Sequence, residues 1–274
     1  MRTLLKCLRT QLMVLSVIGL SLIVLAQPTW AGTACNPVEP DAKKVMMSFE
    51  LAHQVNTFLE SSNAQLAIVA RAGQNLDEYH LRYSHLGIIR KLENGQWRIQ
   101  HVLNQCGTAK SGVYEEGLAN FFMDDPFRFE ALLLIPNPAI QAKLLKQLDS
   151  ANSLKLHEAN YNMLAFPFST DYQNSNQWAL EVMAAALAQE SVITARPQAQ
   201  AWLKWMDYQA STIELSAFTR LGARMFRANV SFDDHPFGRR MAGKIDTVTV
   251  ESIEAFLRKR DGQLQRKVLS LQSN

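Results

Sequence analysis

Several familiar catalytic signatures are missing from this chain. It has no Gly-x-Ser-x-Gly elbow, no P-loop, no His-Glu-x-x-His and no Cys-x-x-Cys, which argues against the enzyme classes built on those motifs. Outside residues 13–26 there is no long apolar run, and those residues fall short of the roughly 20 that span a bilayer, so the mature protein is expected to be soluble. No Pro/Gly/Ser-rich linker, internal repeat or low-complexity tract divides the chain, which favours one domain with embellishments over two small ones. Cysteine is scarce, with three in 274 residues.

The N-terminus carries the features of an export signal. Arg2, Lys6 and Arg9 precede the apolar run, and Thr29-Trp30-Ala31 ends in the small residue that a signal peptidase prefers. Residues 1–31 are therefore expected to be removed and the protein to be periplasmic or secreted, an uncleaved membrane anchor being the alternative. The signal holds three of the 28 basic residues and none of the 25 acidic ones, so residues 32–274 carry no net charge. That balance speaks against a groove tracking phosphates, so no nucleic-acid partner is expected, and membrane contact is expected only through the signal. Export leaves Cys35 and Cys106, an even pair that an oxidising compartment would join. Closing so long a loop would stabilise the fold by roughly 4 kcal/mol in the chain-entropy picture. Acylation of Cys35 as a lipoprotein is the rival use, although Gly32-Thr33-Ala34 lacks the apolar residue expected upstream. A lone catalytic thiol at Cys106 is disfavoured, because exported thiols tend to oxidise.

Periodicity predicts an α+β protein with an antiparallel sheet packed against helices. A helix is expected over 41–61, with Val45, Phe49, Ala52, Val55 and Leu59 on one face, then a strand over 65–70. Leu86, Ile88 and Ile89 make a second strand, and the turn Glu93-Asn94-Gly95 leads to a third over 97–103. Residues 107–117 are Gly-rich and polar, 118–124 form a brief helix stopped by Pro126, and 129–135 a strongly apolar strand. Pro138 suits a first helical turn, opening a helix over 139–148. A strand candidate at 161–168 is followed by helices over 175–189 and 199–206, a strand over 213–215 and a helix over 218–226. Strand-like alternation over 244–250 precedes a helix over 251–260, and 261–274 is expected to fray.

The candidate chemistry sits at a helix start and on a hairpin. Ser175 follows Asn174 where the helix opens, so an anion formed there gains from the unpaired N–H groups and the partial positive charge of the first turn. The plain alternative is that Asn174 and Gln177 form a capping box and Ser175 merely adjoins it. His85 is the candidate base, since an imidazole titrates near neutrality and one nitrogen can take the proton while the other is held. His101, on the adjacent strand and of the same parity as Ile99 and Leu103, would orient it, whereas two structural histidines on a hairpin are the alternative. Asp233-Asp234-His235, Asp124-Asp125-Pro126 and the loop residue His80 are read as turn or solvated groups, because no second ligand cluster supports a metal.

Taken together, Tyr83 to Ile89 with Ser84-His85-Leu86-Gly87, the strand around Ile99 to Val102, and Tyr172 to Glu181 resemble the circularly permuted branch of the NlpC papain-like superfamily. There a Ser/Thr-His-x-Gly motif begins a strand, a polar residue follows on the next, and a cysteine opens a later helix. His85, His101 and Ser175 fall at those positions. The resemblance implies a permuted papain-like core and acyl chemistry on an amide or ester of a cell-envelope peptide or lipid, with no metal or organic cofactor. Serine in place of the thiol departs from the pattern: a hydroxyl is not ionised by its surroundings as a thiol is, so His85 would remove its proton during attack. A non-catalytic module that kept the cleft is the other outcome the resemblance allows. The whole mature chain also resembles an uncharacterised family of exported bacterial proteins.

Overall fold

The computed structural model describes residues 41–124, 126–188, 191–226 and 228–271. Its centre is a six-stranded antiparallel sheet. The strands are β1 (Leu66–Ala72), β2 (His85–Lys91), β3 (Trp97–Asn104), β4 (Ser111–Glu116), β5 (Arg128–Ile135) and β8 (Gln265–Ser270), in the order β4-β3-β2-β1-β5-β8. All of β1 is buried, as its sequence Leu-Ala-Ile-Val-Ala-Arg-Ala demands. Alternate residues then go to opposite faces. Leu66, Ile68, Ala70, Leu86, Ile88, Leu132 and Leu134 join one core cluster, and Ala67, Val69, Ile89, Ile99, Ala131 and Leu133 the other.

The first face is covered by α3 (Pro138–Asp149), α5 (Ser175–Leu187), α6 (Arg196–Trp205) and α9 (Val250–Arg258). The second is covered by α1 (Ala42–Ser61) and α2 (Leu118–Met123). Local signals set the helix ends. Asp41 accepts from Lys43 N at 2.9 Å, and Asn137 accepts from Ala139 N at 3.0 Å and Ile140 N at 3.1 Å, with Pro138 in the first turn. A two-stranded sheet of β6 (Ser211–Glu214) and β7 (Lys244–Thr247) stands apart, accompanied by α7 (Ala217–Phe226) and α8 (Phe237–Met241), and α4 (Asn152–Lys155) is a single turn. Among the described residues no helix is long and apolar enough to cross a membrane.

Three sequence expectations are corrected. Residues 107–117 are not merely a polar stretch, because Ser111–Glu116 pairs with β3 as an edge strand. The tail does not fray at 265–270, which pairs with β5 along the opposite edge. Both edge strands are polar or charged, which keeps a sheet edge from recruiting other chains and also hides it from a hydrophobic pattern. Residues 161–168 form no strand; isolated bridges join Lys110 to Asn160 and Tyr161 to Gln173.

Candidate functional site

At the start of β2 the sheet meets the N-terminus of α5. Asn174 caps that helix, its side chain accepting from Gln177 N at 2.7 Å. The capping box is only half made, since the Gln177 side chain donates to Pro167 O and Glu181 rather than back to the cap. Asn176, one residue into the helix, accepts from Leu86 N at 3.1 Å and donates to Ser84 O at 3.4 Å. These two backbone groups flank His85, so one amide ties the helix start to the strand start on either side of the histidine.

The clamp holds Ser175 Oγ 3.0 Å from His85 Nδ1, and His85 Nε2 lies 2.8 Å from His101 Nδ1. The three residues expected to act together are thus in one chain of contacts. It continues further than the sequence suggested, because His101 Nε2 stands 3.3 Å from Glu116 Oε2, although short of good hydrogen-bond alignment. Glu116 lies in the edge strand hidden by its polarity.

Gly87 explains the glycine of the Ser-His-x-Gly motif. A Cβ there would fall 2.4 Å from Ile99 Cγ2 and 3.1 Å from His101 Cβ. Only a bare backbone lets β3 bring His101 this close. The Phe121 ring of α2 backs both imidazoles, with centroids 5.6 Å from His85 and 5.4 Å from His101.

Charge state follows from surroundings. Burial, with Arg71 and then His101 adding to it, pushes the His85 imidazole well below its ordinary 6.5. Burial and then Arg71 bring His101 down to about 4, Asp124 pulling the other way. Arg71 faces His85 across the β1–β2 pair, lies over the Phe121 ring and is ion-paired with Asp124. Both histidines are therefore neutral near pH 7, and the carboxylate end fixes their tautomers. Ionised Glu116 can only accept, which favours His101 Nε2–H. Its Nδ1 then accepts from His85 Nε2–H, leaving His85 Nδ1 to accept from the Ser175 hydroxyl. The reverse arrangement would set a lone pair against a carboxylate. Burial raises the Glu116 carboxyl above its ordinary value, with Arg71 opposing.

A cleft of about 360 Å³ opens over this chain, lined by His85, Ser175, Arg71, Asp124, Tyr161 and Cys106 among others. Tyr161 stands beside Ser175; burial pushes its phenol up and the serine hydroxyl counteracts in part. The N–H groups of Ser175 and Asn176 precede the first intrahelical bond, from Trp178 N to Asn174 O, so neither is used in the helix's own ladder.

A family model described as an uncharacterized protein conserved in bacteria (DUF2145) matches residues 58–257. The chain belongs to the DUF2145 family. No curated protein and no solved structure matches it. The matched span of this DUF2145 protein contains Ser175, His85, His101, Glu116 and Asn176.

The remaining candidates separate clearly in this DUF2145 protein. Cys106 lies on the cleft wall, while Cys35, its expected disulfide partner, and the export signal 1–31 lie outside the described residues. His235 is buried, with Nδ1 2.9 Å from Asp234 Oδ1 and Nε2 3.0 Å from Asp246 O, and Asp234 also accepts from Phe166 N at 2.7 Å. That triplet is a structural clasp between loops. Asp124, read from sequence as a turn residue, is instead the partner of Arg71 at the cleft; Asp125 lies outside the described residues. His80 is an exposed loop residue with φ of 56°. Among the described residues no group of three or more His, Cys, Asp or Glu is placed to hold a metal ion.

Proposed function

We propose that this protein is an exported hydrolase or acyltransferase, periplasmic or secreted, that acts on an amide or ester of a cell-envelope peptide or lipid. The observation that carries the reading is the contact of Ser175 Oγ with His85 Nδ1 at 3.0 Å, at a helix N-terminus and on the wall of a cleft. In the first step the Ser175 oxygen bonds to the substrate carbonyl carbon while its proton passes to His85 Nδ1. The carbonyl oxygen takes the electron pair and is met by the N–H groups of Ser175 and Asn176. Collapse breaks the bond to the leaving group, which departs with the proton from His85. Water, or an acceptor hydroxyl or amine, then attacks the acyl-serine by the same steps in reverse. His101 is a positioning residue that holds His85 with Nδ1 unprotonated.

The chain order supports a permuted papain-like ancestry: histidine at a strand start, a polar residue on the next strand, and the nucleophile at a later helix start. Serine in the thiol's place is compatible with this because neutral His85 already has Nδ1 free to accept. The second reading, a binding protein that retains the cleft without turnover, is favoured by one feature. Ser175 and His85 are each only 7% exposed, so a substrate carbonyl must reach the floor of the cleft.

Incubation of the purified mature protein with a fluorophosphonate tests the proposal. Labelling of the wild type and its loss in Ser175→Ala are expected; labelling that persists unchanged in Ser175→Ala rules the role out. Thiol-dependent hydrolysis by Ser175→Cys would show that the base and its orienting partners are in working order.

A further inference from the structure

We propose that the group transferred by Ser175 is a long-chain acyl group, and that its chain occupies a second cavity beside the cleft. This rests on the acyl-transfer reading above. The cavity holds about 550 Å³ and is walled by Leu76, Leu81, Leu164, Ile213, Leu215 and Val230, with α7 contributing Thr219, Gly222 and Ala223. Among the described residues that line it none is charged, whereas Arg71 and Asp124 line the reactive cleft. The two spaces are continuous in their walls: Gln74, Ser84 and Met163 line both.

Their placement relative to the chemistry is what points to a substrate. Ser84 precedes His85 and Asn176 follows Ser175, and both line the apolar cavity. Their polar atoms are already engaged: Ser84 Oγ accepts from Gly73 N at 2.9 Å, and Asn176 spans Leu86 N and Ser84 O. The wall between hydroxyl and cavity therefore offers a ligand little to hydrogen-bond, and an apolar chain gains by leaving water there. A carbonyl at Ser175 would have its hydrocarbon on the uncharged side and its polar leaving group in the cleft beside Arg71. The helix that lines the cavity also turns Phe218 (87% exposed) and Leu221 (58% exposed) to solvent, an apolar surface suited to meeting lipid.

The test is a chain-length series of p-nitrophenyl esters, from acetate through hexanoate to dodecanoate, with the full mature protein. kcat/KM is expected to rise about fourfold per methylene until the cavity is filled. Gly222→Trp, on the cavity wall, should abolish the rise and leave acetate turnover within about twofold, a Cβ there meeting nothing within 4 Å. Thr219→Trp on the same wall is the second blocking variant. Independently of turnover, Ser175→Ala should bind cis-parinaric acid, and the added Gly222→Trp should remove that binding. An active enzyme indifferent to chain length, or one preferring short peptide amides with a bulky apolar side chain, overturns the inference and leaves the acyl-transfer reading standing. Absence of fluorophosphonate labelling at Ser175 removes that reading instead. Supplying the chain as phosphatidylglycerol vesicles or as an S-acylated peptide identifies the source; fatty-acid release from neither overturns the inference.

Discussion

Two buried polar clusters flank the first turns of α5, and they use their polar atoms differently. Around Glu181, which is fully buried, both carboxylate oxygens are taken: Gln177, Gln200 and Arg196 donate to Oε1, and Gln173 and Arg196 donate to Oε2, at 2.7 to 3.2 Å. Burial pushes that carboxyl up, and Arg196 pulls against it. Around His85 the contacts form a line rather than a cage, ending in a hydroxyl on a cleft at one end and a loosely aligned carboxylate at the other. A saturated network fixes structure, because no further partner can enter without displacing one already bound. A line that opens onto a cleft can pass a proton to something else. Burial and charge do not separate the two kinds of site; the direction in which the last polar atom points does.

The contrast breaks most sharply at His85. Replacing it by glutamine is expected to lower turnover by about 10⁴-fold or more, with fluorophosphonate labelling lost in parallel. Equal turnover in wild type and variant would place the chemistry elsewhere.

Glu181→Ala should do the opposite, costing about 3–5 kcal/mol of stability because Arg196 is left buried without its charge partner. Denaturant midpoints measure it. A variant that unfolds like the wild type would mean that the cage is ornamental.

Gly87→Ala joins the two effects at lower cost. The added methyl must displace Ile99 or His101, so about 1–3 kcal/mol of stability should go and turnover should fall with it. Chemical denaturation and ester hydrolysis on the same preparation would show whether the losses travel together.

Glu116→Gln keeps an acceptor oxygen but loses the charge and gains an NH2 that can equally face His101, so the tautomers are no longer selected; turnover is expected to fall about tenfold, with little change in melting. The pH dependence sharpens the same point. Both histidines have folded pKa values below 6.5, so the unfolded chain binds more protons as pH falls. Stability is thus fully present above about 6.5 and declines as the pH falls from there, through about 4 for His101. His101→Leu should flatten that slope, and an unchanged slope would show that the buried pair is not its source. Turnover, needing only neutral His85, should hold well below pH 6.5 before it falls.

Much of this was legible in the chain. The apolar runs at 65–70 and 129–135 read as strands because nearly all of their residues are buried, and Asn174 and Pro138 marked helix starts through local chemistry that depends on no distant residue. Ser175, His85 and His101 each had a plain alternative as a cap neighbour or a structural pair, and stood out by their order along the chain, histidine at a strand start, histidine on the next strand and serine at a later helix start. Glu116 did not, since its strand lies at an edge where one side of the backbone meets water and the side chains alternate poorly. Asn176 was invisible for another reason: an asparagine in a first helical turn is ordinary until a strand is laid beside it.

What the sequence determined by itself was therefore most of the buried strands and helices and three of the site's side chains, because hydrophobic period and capping act over a few residues. What only the tertiary structure decided was which of those side chains meet. Ser175 lies 90 residues from His85, and Glu181 and Ser175 are alike in sitting buried on one helix. Close packing of α5 against β2, made possible by a bare glycine and an amide clamp, turned one of them toward a cleft and left the other sealed in a cage.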